Sequence, residues 1–406
     1  MADFELIKYL HTPAETKIVH LILDGLGGLP RELDGKTELE AANTPNLDAL
    51  AARSQLGLAV PVRPGVTPGS GPAHLSLFGY DPLEYDVGRG VLAALGIGFD
   101  LHPEDVAARG NFCTVDESGL ITDRRAGRIP TEFGQKLTAL LREIELPSIQ
   151  AYVETVKEYR FVLVLRPTAG QTLCADIADT DPQRTGVPSL PAVAEDEASE
   201  ATAHLANDWI AAARAILRDH EPANSLNLRG FAKDPGFPKF PDVYGLRAAA
   251  IATYPMYKGV AKLVGMDVVP VDGEALEDEV EALRACWDEY DYFFFHVKKT
   301  DSAGEDGDFE RKAEVIEHVD EVVVPAIMDL GPDVLIVTGD HSTPAALKSH
   351  SWHPVPTLLW SRVGSWDGMQ EFGERACGRG SLGVFPASDE MQLALGYALR
   401  LNKYGA

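Results

Sequence analysis

The sequence is poor in the features that mark secreted, disulfide-rich and membrane-spanning proteins. Its 406 residues include only four cysteines, which are scattered without a CxxC pair, so neither a disulfide framework nor a zinc finger is expected. No apolar run approaches the roughly 20 residues of a membrane span. The opening segment has neither the basic nor the long apolar region of a signal peptide. We therefore expect a cytoplasmic protein that has no membrane partner.

Positive charge is also scarce. The chain has 36 Lys and Arg against 62 Asp and Glu, which gives a formal net charge of -26 at pH 7. Because such a chain repels phosphate backbones, nucleic acid is not an expected partner. A homo-oligomer is not excluded. The same charge makes any local cluster of arginines more informative, since such a cluster opposes the general field.

Hydrophobic residues make up 45% of the chain, enough for a large core and two domains. Strand-like runs such as "KIVHLILDGLGG", "YDYFFFHVKKTD" and "DVLIVTGDHS" alternate with helix-like runs such as "TPNLDALAARS". This alternation predicts a doubly wound, mostly parallel α/β sheet. Between about 100 and 240, prolines and charges become frequent. We therefore predict a core formed by 1–100 and 240–406, with a smaller α/β cap domain inserted at 101–239.

Acidic and histidine side chains follow three of the predicted strands. Asp24 ends the first, Asp301 follows the second, and the pair Asp340 and His341 follows the third. The carboxyl ends of parallel strands share one edge of a sheet, where ligands bind, so these groups are expected to converge. The alternative is that such residues only cap the next helices.

Further metal ligands surround these strand ends. Asp301 and Glu305 would share a helix face in "TDSAGEDGD" if that turn is helical, and His350 and His353 follow on a later loop. Mixed oxygen and nitrogen ligands suit Mn²⁺ or Zn²⁺ rather than a thiolate site. The alternatives are an acidic turn or a calcium loop, although the spacing does not fit the EF-hand pattern.

Ser70 is the candidate nucleophile. It stands between Gly69 and Gly71 and is followed by Pro72, as expected where a helix begins. A plain helix cap is the alternative. A nucleophilic serine needs a metal that lowers the pKa of its hydroxyl, and a helix N-terminus that holds an anion.

The predicted cap domain supplies basic groups. "ITDRRAGRIP" contains Arg124, Arg125 and Arg128, while Arg166 and Arg229 each end an apolar run. Guanidinium groups bind phosphate and carboxylate in a bidentate manner. The alternative is that they only balance an acidic surface.

Nine segments in order, from about residue 17 to 396, resemble the archaeal-type cofactor-independent phosphoglycerate mutases of the alkaline phosphatase superfamily. These segments are "LILDGLGG", "TPNLDALA", "PGSGPAHLSLFGYDP", "GRGVLAALGIG", "RGNFCTVD", "DRRAGRI", "DTDP", "HVKKTDSAGEDGDF" and "GDHSTPAALKSHSWHPVP". The resemblance implies an alkaline-phosphatase-like core and two divalent metal ions. It implies no requirement for 2,3-bisphosphoglycerate.

The resemblance also implies how the ligands divide between the two ions. One ion takes Asp24, Ser70, Asp340 and His341, and the other takes Asp301, Glu305 and His350. Many relatives have histidine where this chain has Glu305. The carboxylate makes the second site harder, which favours Mn²⁺ or Mg²⁺ over Zn²⁺. Mn²⁺ is the expected ion, and Co²⁺ is also compatible. His353 is an alternative ligand.

The implied reaction belongs to glycolysis. Ser70 attacks the phosphate of 3-phosphoglycerate, and the 2-hydroxyl of the reoriented glycerate takes the phosphoryl group back. The cap domain holds the substrate carboxylate and excludes water, and Lys258 lies near the transferred phosphate. A metal-dependent phosphatase or phosphonate hydrolase is an alternative, and an inactive metal-binding scaffold is another. The expected cap residues are Asn111, Asp123, Arg124, Arg128 and Arg229.

Overall fold

The structure is a computed structural model, and it describes residues 3–32, 35–168 and 170–405. Within these ranges the strands are β1 Ile18–Leu23, β2 Gln55–Val60, β3 Val106–Val115, β4 Ile121–Asp123, β5 Ile149–Lys157, β6 Arg160–Pro167, β7 Ser225–Ala232, β8 Ala248–Ile251, β9 Asp267–Val268, β10 Tyr292–Val297, β11 Val334–Thr338, β12 Val355–Ser361 and β13 Gly383–Pro386.

The α-helices in the same ranges are α1 Phe4–Leu10, α2 Glu38–Ala41, α3 Pro45–Ala51, α4 Ser70–Leu77, α5 Arg89–Gly96, α6 Thr131–Leu141, α7 Glu200–Leu217, α8 Phe240–Tyr244, α9 Pro255–Leu263, α10 Leu276–Cys286, α11 Lys299–Asp306, α12 Phe309–His318, α13 Val324–Leu330, α14 Glu374–Cys377 and α15 Glu390–Tyr397. None of the described helices has the length and apolar character that a membrane crossing requires.

The first compact unit, residues 1–86 and 237–406, is built on an eight-stranded sheet. The strand order is β13-β2-β12-β11-β1-β10-β8-β9. Only β12 runs against its neighbours, while β1, β8, β10 and β11 are parallel. The predicted doubly wound, mostly parallel α/β sheet is confirmed.

The central strands are buried on both faces, which explains their continuous apolar sequence. In β10 the side chains alternate between the two faces. Phe293 and Phe295 join the apolar core that includes residues of α3, α10 and α13. Phe294 and His296 lie on the opposite face, where Phe294 packs edge-on against His74 and Phe78. Helices therefore cover both faces of this sheet.

The second compact unit, residues 87–236, has a five-stranded antiparallel sheet. Strands β4, β3, β6 and β5 follow in that order, and β7 pairs with β3. Its own core includes Phe112, Phe161 and Trp209, the last from the long helix α7. The unit therefore buries an apolar core separate from that of the first unit.

The first junction between the units lies earlier than the predicted residue 100. Helix α5 packs on β3 and β7 and belongs to the second unit. Gly90 makes this close packing feasible, because a Cβ there would lie 2.1 Å from the carbonyl oxygen of Ala107. The sequence prediction assigned this helix to the core because the frequent prolines and charges that marked the inserted domain begin only near residue 100.

Glu279 is a buried acid on α10, 3% exposed. Burial raises the pKa of its carboxyl from 4.5 to about 8. At a pH between 4.5 and about 8, this carboxyl binds fewer protons in the unfolded chain than in the folded protein. This carboxyl therefore lowers the free energy of unfolding as pH rises from 4.5 to about 8.

We expect Glu279→Gln to remove this loss, because the amide is neutral at every pH. Relative to the unsubstituted protein, the variant should gain stability at pH 8 on the order of a few kcal/mol and little at pH 4.5. Urea unfolding at both pH values measures the difference. The exposed neighbour Glu281 provides the control, since Glu281→Gln should change neither value. An equal effect of Glu279→Gln at both pH values would contradict the assignment.

Candidate metal centre

Three strand ends of the first unit bring acidic and histidine groups together. Asp24 follows β1, Asp301 lies in α11 directly after β10, and Asp340 and His341 follow β11. Because β1 pairs in parallel with both β10 and β11, these ends share one edge of the sheet. All four side chains are buried. The expected convergence is therefore present.

Asp24, Asp340 and His341 form the first group, within which the ligand atoms lie less than 4.8 Å apart. His341 Nε2 lies 3.4 Å from Asp24 Oδ1 and 3.1 Å from Asp340 Oδ2. The Oγ of Ser70 lies 3.4 Å from the same nitrogen. Ser70 is the first residue of α4, so its hydroxyl stands at a helix N-terminus, where an anion is favoured.

Asp301, His341 and His350 form the second group. His350 Nε2 lies 3.6 Å from Asp301 Oδ1, and the rings of His341 and His350 stack with centroids 3.6 Å apart. His350 Nδ1 donates to the carbonyl oxygen of Pro68 at 3.0 Å. This bond leaves Nε2 of neutral His350 with its lone pair towards the group. His341 is thus common to both groups.

Thr343 fixes the orientation of His341. Its hydroxyl donates to Asp301 Oδ1 at 2.8 Å, so its oxygen accepts from Nδ1–H of His341 at 2.9 Å. Nε2 of His341 then presents a lone pair to the first group. Gly25, at φ +65°, permits this packing, because a Cβ there would lie 2.6 Å from Thr343 Oγ1.

The first group fits a divalent cation. Asp24 Oδ1 and Asp340 Oδ2 are buried, and neither has a hydrogen-bond partner within the described residues. Together with His341 Nε2 they present lone pairs to one another, an arrangement that a shared cation stabilises. Two carboxylates, an imidazole and a hydroxyl suit Mn²⁺, Co²⁺ or Zn²⁺.

The surroundings shift the pKa values of the two aspartates of the first group in opposite directions. Burial raises the pKa of Asp340 well above its ordinary range, and the neighbouring Asp24 carboxylate adds to this effect. Burial also raises the pKa of Asp24, but Lys298, His296 and His341 outweigh it and hold that pKa well below its ordinary value. Asp24 is therefore the carboxylate that most favours the charged form.

Lys298 is a site residue that sequence reasoning missed. It is the residue before α11, and its Nζ lies 3.1 Å from Asp24 Oδ2 and hydrogen-bonds Asp301 Oδ2. Burial lowers its pKa, but the two carboxylates outweigh burial and raise it above the ordinary value. The only signal in the sequence was its place in "HVKKTD", between a strand and Asp301.

Sequence reasoning also missed three aromatic residues that pack against the first group, namely His74, Tyr257 and His296. His74 Nδ1 donates to the carbonyl oxygen of Ser70 at 2.7 Å and lies 3.3 Å from Asp340 Oδ2. Tyr257 stacks on His296 at 3.7 Å and donates its hydroxyl proton to Asp24 Oδ2. Burial lowers the pKa of His74 to about 3, so it is neutral at pH 7. His74 and Tyr257 therefore contact Asp340 and Asp24, respectively, and help to orient these two carboxylates.

Glu305 is the predicted ligand that the structure does not bring into either group. It lies in the last turn of α11 and is exposed, whereas Asp301 in the same helix is buried. His353 also lies outside both groups, and its Nδ1 is 3.0 Å from the hydroxyl oxygen of Ser351. The role of Glu305 stays a prediction.

Two of the predicted cap residues meet at one carboxylate of the second unit. Arg124 forms a bidentate pair with Asp181, at 3.0 and 2.7 Å. Arg229 Nη1 lies 3.5 Å from the same Asp181, and its Nε donates to Asp179 at 3.0 Å. Burial of Asp181 favours protonation, but its backbone and arginine contacts lower its pKa below the ordinary value.

The other predicted substrate-binding residues are more dispersed. Asn111 is buried on β3, and its Oδ1 has no hydrogen-bond partner in the described part of the chain. Asp123 accepts from the backbone N–H groups of Arg125 and Gly127, so it shapes the turn that carries Arg128. Arg128 itself is exposed.

Lys258 lies on α9 of the first unit and is half-buried. Burial lowers the pKa of its ammonium group, while the Glu279 carboxylate opposes this shift. Its ammonium group has no lone pair to donate to a cation, so Lys258 is not a metal ligand.

Comparison with known proteins finds relatives along almost the whole chain. The family model described as 2,3-bisphosphoglycerate-independent phosphoglycerate mutase matches residues 51–223. Relatives named as probable members occur in Deinococcus radiodurans, 52% identical over 413 residues and covering 100% of both chains, and in Thermus thermophilus, 53% identical over 407 residues and covering 99% of both.

Two solved structures are similar along almost the whole chain. A protein from Pyrococcus horikoshii is 32% identical with a TM-score of 0.82, over 96% of this chain and 99% of that one. A cofactor-independent phosphoglycerate mutase from Thermoplasma acidophilum is 30% identical with a TM-score of 0.70, over 94% of this chain and 100% of that one.

We expect Thr343→Val to weaken metal binding about 10- to 100-fold, because it removes the bonds that orient Asp301 and His341. It should also lower the free energy of unfolding by about 1–3 kcal/mol through unpaired buried groups. Thr357→Val is the control, since Thr357 is equally buried and hydrogen-bonds Thr338 at 2.9 Å, away from the ligands. Calorimetric titration with Mn²⁺ and urea unfolding measure both effects. If both variants lose only stability, Thr343 does not orient the ligands.

Proposed function

Since the chain belongs to the family of 2,3-bisphosphoglycerate-independent phosphoglycerate mutases, we propose that it interconverts 3-phosphoglycerate and 2-phosphoglycerate through a phosphoserine at Ser70. The observation that carries this proposal is the first metal-binding group beside the Ser70 hydroxyl. A lone serine at a helix start is ordinary. Here the Ser70 Oγ lies 3.4 Å from His341 Nε2, and the same nitrogen lies 3.4 and 3.1 Å from two buried carboxylate oxygens. This arrangement is not expected of a plain helix cap.

Asp24, Ser70, Asp340 and His341 are proposed to hold one divalent ion, and Asp301, Glu305 and His350 the other. Mn²⁺ is the preferred ion, because the donors are oxygen and imidazole and Glu305 adds a hard ligand. Such ions would lower the pKa of the serine hydroxyl and neutralise phosphoryl oxygens. The shared position of His341 supports two adjacent sites.

The transfer itself is proposed to pass through Ser70. Ser70 Oγ forms a bond to phosphorus as the bond from phosphorus to the 3-oxygen of glycerate breaks, and the serine proton ends on that oxygen. The glycerate turns, and its 2-hydroxyl oxygen then takes the phosphoryl group while its proton returns to Ser70. The N-terminus of α4 favours the negative charge that Ser70 carries in between.

The substrate carboxylate is proposed to bind basic groups of the second unit. Two observations support this role: Arg124 binds the carboxylate of Asp181 in a bidentate manner, and Arg229 Nη1 lies 3.5 Å from the same carboxylate. Asn111, Asp123 and Arg128 are proposed to complete the binding, and Lys258 to bind the transferred phosphate.

The direct test is incubation of the purified protein with 3-phosphoglycerate and Mn²⁺, followed by removal of the metal with a chelator and phosphorus NMR. Appearance of 2-phosphoglycerate is expected. Inorganic phosphate alone would indicate a phosphatase. No change in the spectrum would favour a metal-binding scaffold.

We expect Ser70→Ala to reduce the mutase rate by more than about a hundredfold, because it removes the only atom proposed to carry the phosphoryl group. Metal content and the melting temperature should change little. Ser76→Ala is the matched control, since Ser76 lies in the same helix and should tolerate the change. A Ser70→Ala enzyme that retains a substantial rate would exclude the phosphoserine.

Glu305 is tested by metal content. We expect Glu305→Ala to bind one Mn²⁺ per chain where the unsubstituted protein binds two, because the second site loses a charged ligand. Asp306→Ala, which changes the next exposed acid of the same helix, should keep both ions. If Glu305→Ala keeps both ions and His353→Ala loses one, the ligand is His353.

A further inference from the structure

Lys298 suggests how the metal-binding groups are balanced before any cation binds. We propose that its ammonium group is an internal counter-cation, which holds the two groups together in the metal-free protein and yields to the divalent ions. This inference rests on the metal site of the proposed function. It goes beyond that function because it assigns to Lys298 the metal affinity of the site and the stability of the metal-free state.

The position of the ammonium group carries the argument. Nζ contacts one ligand from each group, Asp24 and Asp301, and the side chain is 23% exposed. Asp301 then has both carboxylate oxygens engaged, Oδ1 by Thr343 and Oδ2 by Lys298. A divalent ion that binds Asp301 must therefore share or displace one of these contacts.

The chain holds Lys298 in this position from several sides. Its backbone lies between the end of β10 and the start of α11, next to the two strand ends that carry Asp24 and Asp301. Its Nζ lies 5.7 Å from the ring centroid of Tyr257, and the Tyr257 hydroxyl binds the same Oδ2 of Asp24. One oxygen of Asp24 is thus occupied by Lys298 and Tyr257, while Oδ1 is left for a metal ion.

The charges of the site explain why Lys298 would affect both the stability of the metal-free protein and its affinity for metal ions. Asp24, Asp301 and Asp340 bring three carboxyl groups into a buried space, and like charges there repel strongly because water does not screen them. Lys298 offsets this repulsion when no metal is present. Once divalent ions bind, the same ammonium group repels them. Removing it should therefore destabilise the metal-free protein and strengthen metal binding.

The experiment compares Lys298→Met with Lys299→Met, in metal-free protein and without substrate. Lys299 is the next residue and is exposed, so its substitution removes the same formal charge without the two contacts. We expect Lys298→Met to melt at a lower temperature when metal-free and to bind Mn²⁺ about tenfold more tightly. Lys299→Met should match the unsubstituted protein in both measurements. Thermal unfolding and calorimetric titration supply them.

The outcomes separate this proposal from the proposed function. Mn²⁺ binding by Lys298→Met that is equal to or weaker than that of the unsubstituted protein would overturn the counter-cation and leave the metal site intact. An unsubstituted protein that binds no Mn²⁺ would overturn both. If Lys298→Met is unfolded without metal, folding on addition of Mn²⁺ supports the proposal, and Lys298→Gln repeats the affinity measurement. Failure of both variants to fold with Mn²⁺ would overturn it.

Discussion

The mutual repulsion of buried carboxylates at the ends of β1, β10 and β11 is the constraint on which the rest of this site depends. The parallel pairing of these strands makes the convergence unavoidable, because their carboxyl ends share one edge. Three acids in that space cannot all be ionised without a compensating cation. The pKa of Asp24 is lowered and that of Asp340 is raised, and these opposite shifts express this conflict.

Several residues around these carboxylates fix the orientation of the other candidate ligands. Thr343 and Pro68 fix which nitrogen of His341 and of His350 carries the proton, so that the lone pairs face the carboxylates. Lys312, fully buried on α12, donates to the carbonyl oxygens of Gly27 and Thr343, and thereby ties together the loops after β1 and β11. These contacts therefore fix the orientation of the candidate ligands.

The sequence sufficed for the parts of this structure that follow from local pattern. Continuous apolar runs such as Ile18–Leu23 indicate buried strands, and the acids that follow them indicate one edge of a parallel sheet. Lys298 and Thr343 were missed because lysine and threonine after a strand are common, and only the tertiary structure shows which oxygen each one contacts. The assignment of α5 failed because the boundary was drawn where prolines and charges become frequent, and only the tertiary structure shows that this helix packs on β3 and β7.

His341 belongs to both groups, and this sharing would make two metal sites here one thermodynamic unit. An ion held by the first group would withdraw electron density from the imidazole and restrict the motion of its ring. The stacked ring of His350 and the carboxylate of Asp301 would then have a different neighbour when a second ion arrives. Because such coupling is reciprocal, each ion would change the affinity for the other by the same factor. Two ions at this pair of groups would therefore follow a linked binding curve rather than two independent ones.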